Sequence, residues 1–124
     1  MRLLLDTNSL IWWRNNDSQL RTRAADAVRD PANDIVVSVA ALCEIAIKRT
    51  LGKLQFSEDF AAMMADEGFQ LLPITYAHLQ ALDALPLHHR DPFDRMMIAQ
   101  ALAEGIPIAT ADRRFAAYGV QIVW

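Results

Sequence analysis

Apolar runs without internal alternation recur along the chain, each ended by a turn or capping residue. Leu3-Leu4-Leu5 stops at Asp6, Ile35-Val36-Val37 stops at Ser38, and Phe69-Gln70-Leu71-Leu72-Pro73-Ile74 stops at Thr75. Ile106-Pro107-Ile108-Ala109-Thr110 and Val120 to Val123 complete the set. The first two runs predict strands buried on both faces, as in a parallel sheet; the others predict further strands, and Pro73 places the third at or near a sheet edge. Between the runs the period lengthens to that of helices. Leu10 to Trp13 form a short apolar turn or two after the capping run Asp6-Thr7-Asn8-Ser9. Leu20, Ala24, Ala27 and Val28 share one stripe of a helix with Ser18 as its cap, and Asp30-Pro31-Ala32-Asn33 closes it. Ser57 caps a helix through Phe60, Met63 and Met64 that Gly68 stops, and Thr75 caps one through Leu79, Leu82 and Leu85 that Pro86 ends. The resulting order, β-α-α-β-α-α-β-α-α-β-α-β, predicts an α/β fold with about five parallel strands and helices on both faces.

Two further helices depart from simple amphipathic patterning. From Val39 to Ile47 every residue except Glu44 is apolar, which predicts a buried helix carrying a buried carboxylate, with Cys43 as a small core residue. The plain structural alternative for Glu44 is an ion pair with Lys48, one turn later. In the last long helix, Asp91-Pro92 is a cap followed by a proline at the first helical position. Asp94 then shares the apolar stripe of Met97, Ile98, Ala101 and Leu102, while Gln100, Ala103 and Glu104 lie on the other side. An acid at the head of a buried stripe points at the sheet, so Asp91 is assigned to capping and Asp94 to chemistry. Asp6 and Asp112 each follow a predicted strand, at the carboxyl end where open α/β sheets bind ligands. Each taken alone reads equally as a helix cap.

Composition narrows the class of protein. The chain has 124 residues, 53% hydrophobic and 22% charged, which fits one compact domain with little disorder. A net charge of −3 gives no general attraction to nucleic acid, so any such activity must come from a local site. A single cysteine excludes an intrachain disulfide and suits a reducing cytoplasm. No segment has the length of a membrane span, and the first five residues are too short for a signal peptide.

Asp6, Glu44, Asp94 and Asp112 would meet at one rim of such a sheet. Carboxylates gathered together raise one another's pKa unless a cation sits among them. Oxygen ligands favour Mg²⁺ or Mn²⁺, and a pair of such ions roughly 3.5–4 Å apart is the usual clamp for phosphodiester cleavage. His88-His89, adjacent in a loop, lack the spacing of a zinc site and are assigned to the substrate side or to solvent.

The sequence blocks Leu3-Leu4-Leu5-Asp6-Thr7-Asn8, Ser38 to Lys48, His89 to Ala101 and Ile108 to Phe115 together resemble a PIN domain, and within that family the VapC-type toxins of bacterial toxin–antitoxin pairs. The resemblance covers the chain as a single domain, residues 1–124. It implies a sheet ordered 3-2-1-4-5 and a Mg²⁺- or Mn²⁺-dependent endoribonuclease whose metal-binding, catalytic acids are Asp6, Glu44, Asp94 and Asp112. It also implies that Asn8 and Thr110 support the site, that the protein is a homodimer, and that a small VapB-like antitoxin inhibits it. Lys48, Arg95, Arg113 and Arg114 lie beside the acids in sequence and are candidate contacts for RNA phosphates. Three other readings compete. A receiver-type signalling domain would need an acceptor aspartate at the end of the third strand, where this chain has Ile74-Thr75. A non-catalytic PIN-like module and a metal-dependent phosphatase of small molecules share the acids, and only assays separate them.

Overall fold

The computed structural model describes residues 1–124. The chain runs β1 (Arg2–Leu5), α1 (Thr7–Arg14), α2 (Thr22–Arg29), β2 (Asp34–Ser38), α3 (Val39–Thr50), α4 (Phe60–Glu67) and β3 (Gln70–Leu72). It continues through α5 (Tyr76–Ala84), α6 (Pro92–Glu104), β4 (Ile108–Ala109), a 3₁₀ segment (Arg113–Tyr118) and β5 (Ile122–Val123). All neighbouring strands are parallel and their order is β3-β2-β1-β4-β5, as the resemblance implies. Helices join every pair of strands up to β4, and no helix is long and apolar enough to cross a membrane.

The runs of the inner strands are buried because those strands are covered on both faces, whereas the edge run is not: Leu71 and Ile74 are exposed and only Leu72 of β3 is buried. Leu3, Leu4 and Leu5 of β1, the middle strand, are fully buried together with Val36, Val37, Ile108 and Ala109 from the strands on either side. Met97, Ile98 and Ala101 of α6, Ile45 of α3 and Phe115 close one continuous core around them. Pro73 follows β3 directly, and β3 is an edge strand, where a missing N–H costs the ladder nothing.

Several local expectations are corrected. Ser18 does not cap α2. Asp17 instead accepts from the Gln19 N–H in a turn, and α2 begins later behind Arg21 without a side-chain cap. Asp59, not Ser57, caps α4, accepting from the Ala62 N–H. Residues 54–58 are held instead by Arg49, whose guanidinium donates to the carbonyls of Phe56 and Glu58. Cys43 is exposed, not a core residue, and so is Ile47. Thus α3 is buried only along the side that carries Ala40, Ala41, Glu44 and Ile45. On α6 the stripe is also shifted: Gln100 is fully buried and Leu102 is 39% exposed. Packing of α5 against α6 covers the Gln100 side, a tertiary effect that periodicity within one helix does not contain.

Candidate functional site

The four acids come together at the carboxyl end of the sheet. Asp6 follows β1 and caps α1, accepting from the Ser9 N–H at 2.8 Å, and its own N–H donates to Ala109 at the end of β4. Ser9 Oγ donates to the same Ala109 carbonyl at 3.0 Å, so the ends of β1 and β4 are pinned together beneath Asp6. Glu44 projects from α3, accepting from Thr7 Oγ at 2.6 Å and from Lys48 Nζ at 2.6 Å. The ion pair offered as the structural alternative therefore exists, and so does the burial: Glu44 is 6% exposed. Asp94 sits in the first turn of α6, whose cap is Asp91, accepting from the N–H groups of Phe93 and Asp94. Asp112 caps the 3₁₀ segment through the Arg114 N–H and is gripped by the Arg114 guanidinium, with Nη2 2.7 Å from Oδ2. Capping and clustering are compatible: Asp6 and Asp112 cap through Oδ1, and Asp112 Oδ2 meets His89 and the Arg114 guanidinium.

These side chains line a cavity of about 320 Å³ with Thr7, Asn8, Asp91, Lys48 and Arg114. Five carboxylates against two cations leave the lining strongly negative. The physical consequences differ from acid to acid. Burial raises the Asp6 carboxyl above its ordinary value, against hydrogen bonds from Ser9 and Thr110, and the Glu44 charge adds to the rise. Asp94 is pushed up to about 7, by burial first and then by Asp91, Asp6, Glu44 and Asp112. Asp112 goes the other way, to about 2, because Arg114 stands against it. Glu44 in turn holds the Lys48 ammonium above its usual range.

The residues named as supporting lie at the rim. Thr110 is buried and its Oγ accepts from the Asp112 N–H at 3.0 Å, and Asn8 is exposed on the cavity wall. The basic residues divide. Lys48 and Arg114 line the acidic cavity, but Arg113 lines a neighbouring one, with Trp12, Arg21 and Trp124, that shares Asp112 with it. Arg95 turns away from the acids, donating to the carbonyls of Leu85, Pro86 and His89 and lining the larger apolar concavity beside α5. Two residues were not foreseen. Thr7 ties α1 to Glu44, and no spacing between them in sequence announces it. His89 was assigned to solvent or the substrate side, yet it is 4% exposed, with Nε2 2.9 Å from Asp112 and 3.1 Å from Asp94. The loop before α6 folds back to make this contact, which adjacency to His88 could not reveal.

A family model described as the PIN domain matches residues 3–121. The chain belongs to the PIN domain family. Among curated proteins, none matches its sequence significantly. Solved structures with the same PIN fold include VapBC2 from Rickettsia felis bound to a promoter DNA fragment, at 16% identity and TM-score 0.69, covering 98% of this chain and 97% of that one. DNA-bound VapBC from Salmonella typhimurium gives 17% identity and TM-score 0.68 over 98% and 96% of the two chains. A toxin–antitoxin complex from Klebsiella pneumoniae gives 21% identity and TM-score 0.64 over 98% and 96%. With identities this low, what is shared is the fold. In this PIN domain the fold brings Asp6, Glu44, Asp94 and Asp112 to one acidic cavity.

Proposed function

We propose that this PIN domain is a Mg²⁺- or Mn²⁺-dependent endoribonuclease, the toxin of a toxin–antitoxin pair, held inactive by a small cognate antitoxin. The observation that carries the reading is the excess of carboxylates in one cavity, with Asp94 pushed up to about 7 by burial first and then by its acidic neighbours. A structural cluster of this kind would be stabilised by equal numbers of cations, whereas a divalent ion with oxygen ligands relieves the excess at once. The donor set fits such an ion: Asp6, Glu44, Asp94 and Asp112 would hold it. When bound, the ion polarises a phosphoryl oxygen and makes a water nucleophilic near neutral pH. The chain's own residues do the rest. Thr7 and Lys48 orient Glu44, Ser9 and Thr110 orient Asp6, and Arg114, bonded to Asp112 through Nε and Nη2, holds that acid ionised and keeps a positive charge on the cavity wall. The toxin assignment is supported by the fold shared with chains described as parts of VapBC and toxin–antitoxin complexes. The same reading has the protein acting in the cytoplasm as a homodimer.

The test is purified protein on total RNA with Mg²⁺, Mn²⁺ or EDTA, with the new ends mapped and a small phosphate ester run in parallel. Internal cleavage with either ion and none in EDTA is expected. Equal cleavage in EDTA would overturn the metal role, and hydrolysis of the ester with RNA left intact would overturn the substrate class.

A further inference from the structure

His89 reaches the acidic cavity from the loop before α6, and its surroundings fix which nitrogen carries the proton. The ring is buried, packed edge-on against Phe115 with centroids 5.8 Å apart. Its backbone N–H donates to Tyr118 Oη at 2.7 Å, and its carbonyl accepts from Arg95, so the loop is anchored at both sides of the residue. Nδ1 lies 3.1 Å from the Asp91 backbone N–H. That group can only donate, so Nδ1 must be the bare acceptor nitrogen, and a neutral ring then carries its hydrogen on Nε2. Nε2 points between Asp112 Oδ2, at 2.9 Å, and Asp94 Oδ2, at 3.1 Å.

The same three residues place one potential ligand atom each within 4.8 Å of one another, which by distance alone is a nitrogen-and-oxygen metal site. The tautomer argues otherwise. A nitrogen bearing a hydrogen has no lone pair for a metal, and moving the hydrogen to Nδ1 would set it against the Asp91 N–H. We infer that His89 is a positioning residue, not a ligand: its Nε2–H gathers Asp94 and Asp112 through Oδ2 of each, which leaves Asp94 Oδ1 for the ion, while Asp112 Oδ1 accepts from the Arg114 N–H and Nε. Hydrogen bonds of this kind to ligating carboxylates orient them, and losing one typically reduces metal affinity about 10–100-fold. The inference rests on the metal reading above and adds that the ion sees oxygen ligands alone, so its preference is for Mg²⁺ and Mn²⁺ over softer ions.

Three measurements test it. Long-range ¹H–¹⁵N NMR of the metal-free protein reads the tautomer directly, with a hydrogen on Nε2 and none on Nδ1 expected. Pulsed EPR of the Mn²⁺-loaded wild type should show no directly coordinated imidazole nitrogen. Mn²⁺ titration should show affinity lost about 10–100-fold in His89→Ala and largely retained in His89→Gln, whose amide can place a donor near the Nε2 position. A hydrogen on Nδ1, or imidazole coupling to Mn²⁺, overturns the inference while the metal reading stands. Wild-type affinity in a folded His89→Ala does the same, and if that variant fails to fold the NMR and EPR results decide. Failure of the wild type to bind Mn²⁺ at all removes the metal reading and this inference with it.

Discussion

Two polar clusters are buried in this protein, one at each flank of α6, and they solve the problem of burial in opposite ways. On the side of α6 facing α5, each group finds a partner. Gln100 accepts from Ser38 Oγ and donates to the Pro73 carbonyl, Ser38 Oγ also accepts from the Ala40 N–H, and His78 accepts from the Thr75 N–H. His78 Nε2 lies 3.1 Å from Glu104, which Arg2 also holds at 3.3 Å. At the start of the same helix, Asp94 joins a cavity lined by five carboxylates and only two cations. The first cluster is closed and joins β2, α5 and α6. The second is open and retains like charges that nothing in the chain neutralises. Buried polar groups are normally paired, so what separates a structural network from a candidate site here is the charge left over, not the presence of polar residues.

The largest expected effect should come from breaking the closed cluster. Gln100→Ala leaves Ser38 Oγ and the Pro73 carbonyl without their partner and opens a void, at a cost of about 2–4 kcal/mol in urea unfolding. The variant should still gain stability from Mg²⁺ once folded. A loss below about 1 kcal/mol would mean that the network is not what joins α5 to α6.

The open cluster should respond with the opposite sign. Asp94 has its pKa raised from 3.8 to about 7 in the fold, so its protonated form is favoured there. The associated stability is full below pH 3.8 and is lost as pH rises through about 7. Metal-free protein should therefore weaken over that range, and Asp94→Asn should flatten the decline and add about 1–2 kcal/mol at pH 8, after allowance for screening in the open cavity. It should also abolish the response to Mg²⁺ and RNA cleavage. An apo protein equally stable at pH 5 and pH 8, with Asp94→Asn no more stable, would show that the cluster is not strained.

The sheet was legible because buried parallel strands are written as unbroken apolar runs, and Asp6 and Asp94 because each stands where such a run or stripe begins or ends. What remained hidden depends on a second element arriving from elsewhere in the chain. Gln100 looked like a surface residue until α5 covered it. His89 looked like a loop residue until Phe115 and Asp112 met it. The exposed side of α3, with Cys43 and Ile47, shows the reverse error: an apolar helix was expected to be covered all round, and the fold covers one side of it. Arg95 was placed beside Asp94 by sequence order alone, while its length and the turn of α6 carry it to the loop carbonyls.

A smaller effect distinguishes the clusters by pH in the other direction. The Glu104 carboxyl is held below its ordinary 4.5 by His78 first and Arg2 second. A lowered pKa contributes stability that is present above 4.5 and lost as pH falls through the folded value. Glu104→Gln should cost only about 0.5 kcal/mol at pH 7, because the pair is partly exposed, and less at pH 3. Thermal melts of the two proteins at both pH values check this. A deficit that grows on acidification would contradict the assigned direction.

The smallest effect concerns how RNA would be held against a lining that repels it. Arg114 is on the wall of the acidic cavity, pinned bidentately to Asp112, whereas Arg113, its neighbour in sequence, faces a different concavity with Trp12 and Trp124. Arg114 then stands in the cavity that gathers all four acids, whereas the concavity of Arg113 shares only Asp112 among them. Removing one phosphate contact lowers the slope of log K against log salt by about 0.7 for a single strand. Binding of single-stranded RNA to an Asp94→Asn background, measured over several salt concentrations, separates the two arginines. Arg114→Ala should reduce the slope by that amount, and Arg113→Ala should leave it unchanged unless the strand continues past the 3₁₀ segment into the second concavity. Equal losses in both would extend the RNA path beyond the acidic cavity. No loss in either would leave the cavity's attraction for RNA to the ion and Lys48, with Arg114 serving only to keep Asp112 ionised.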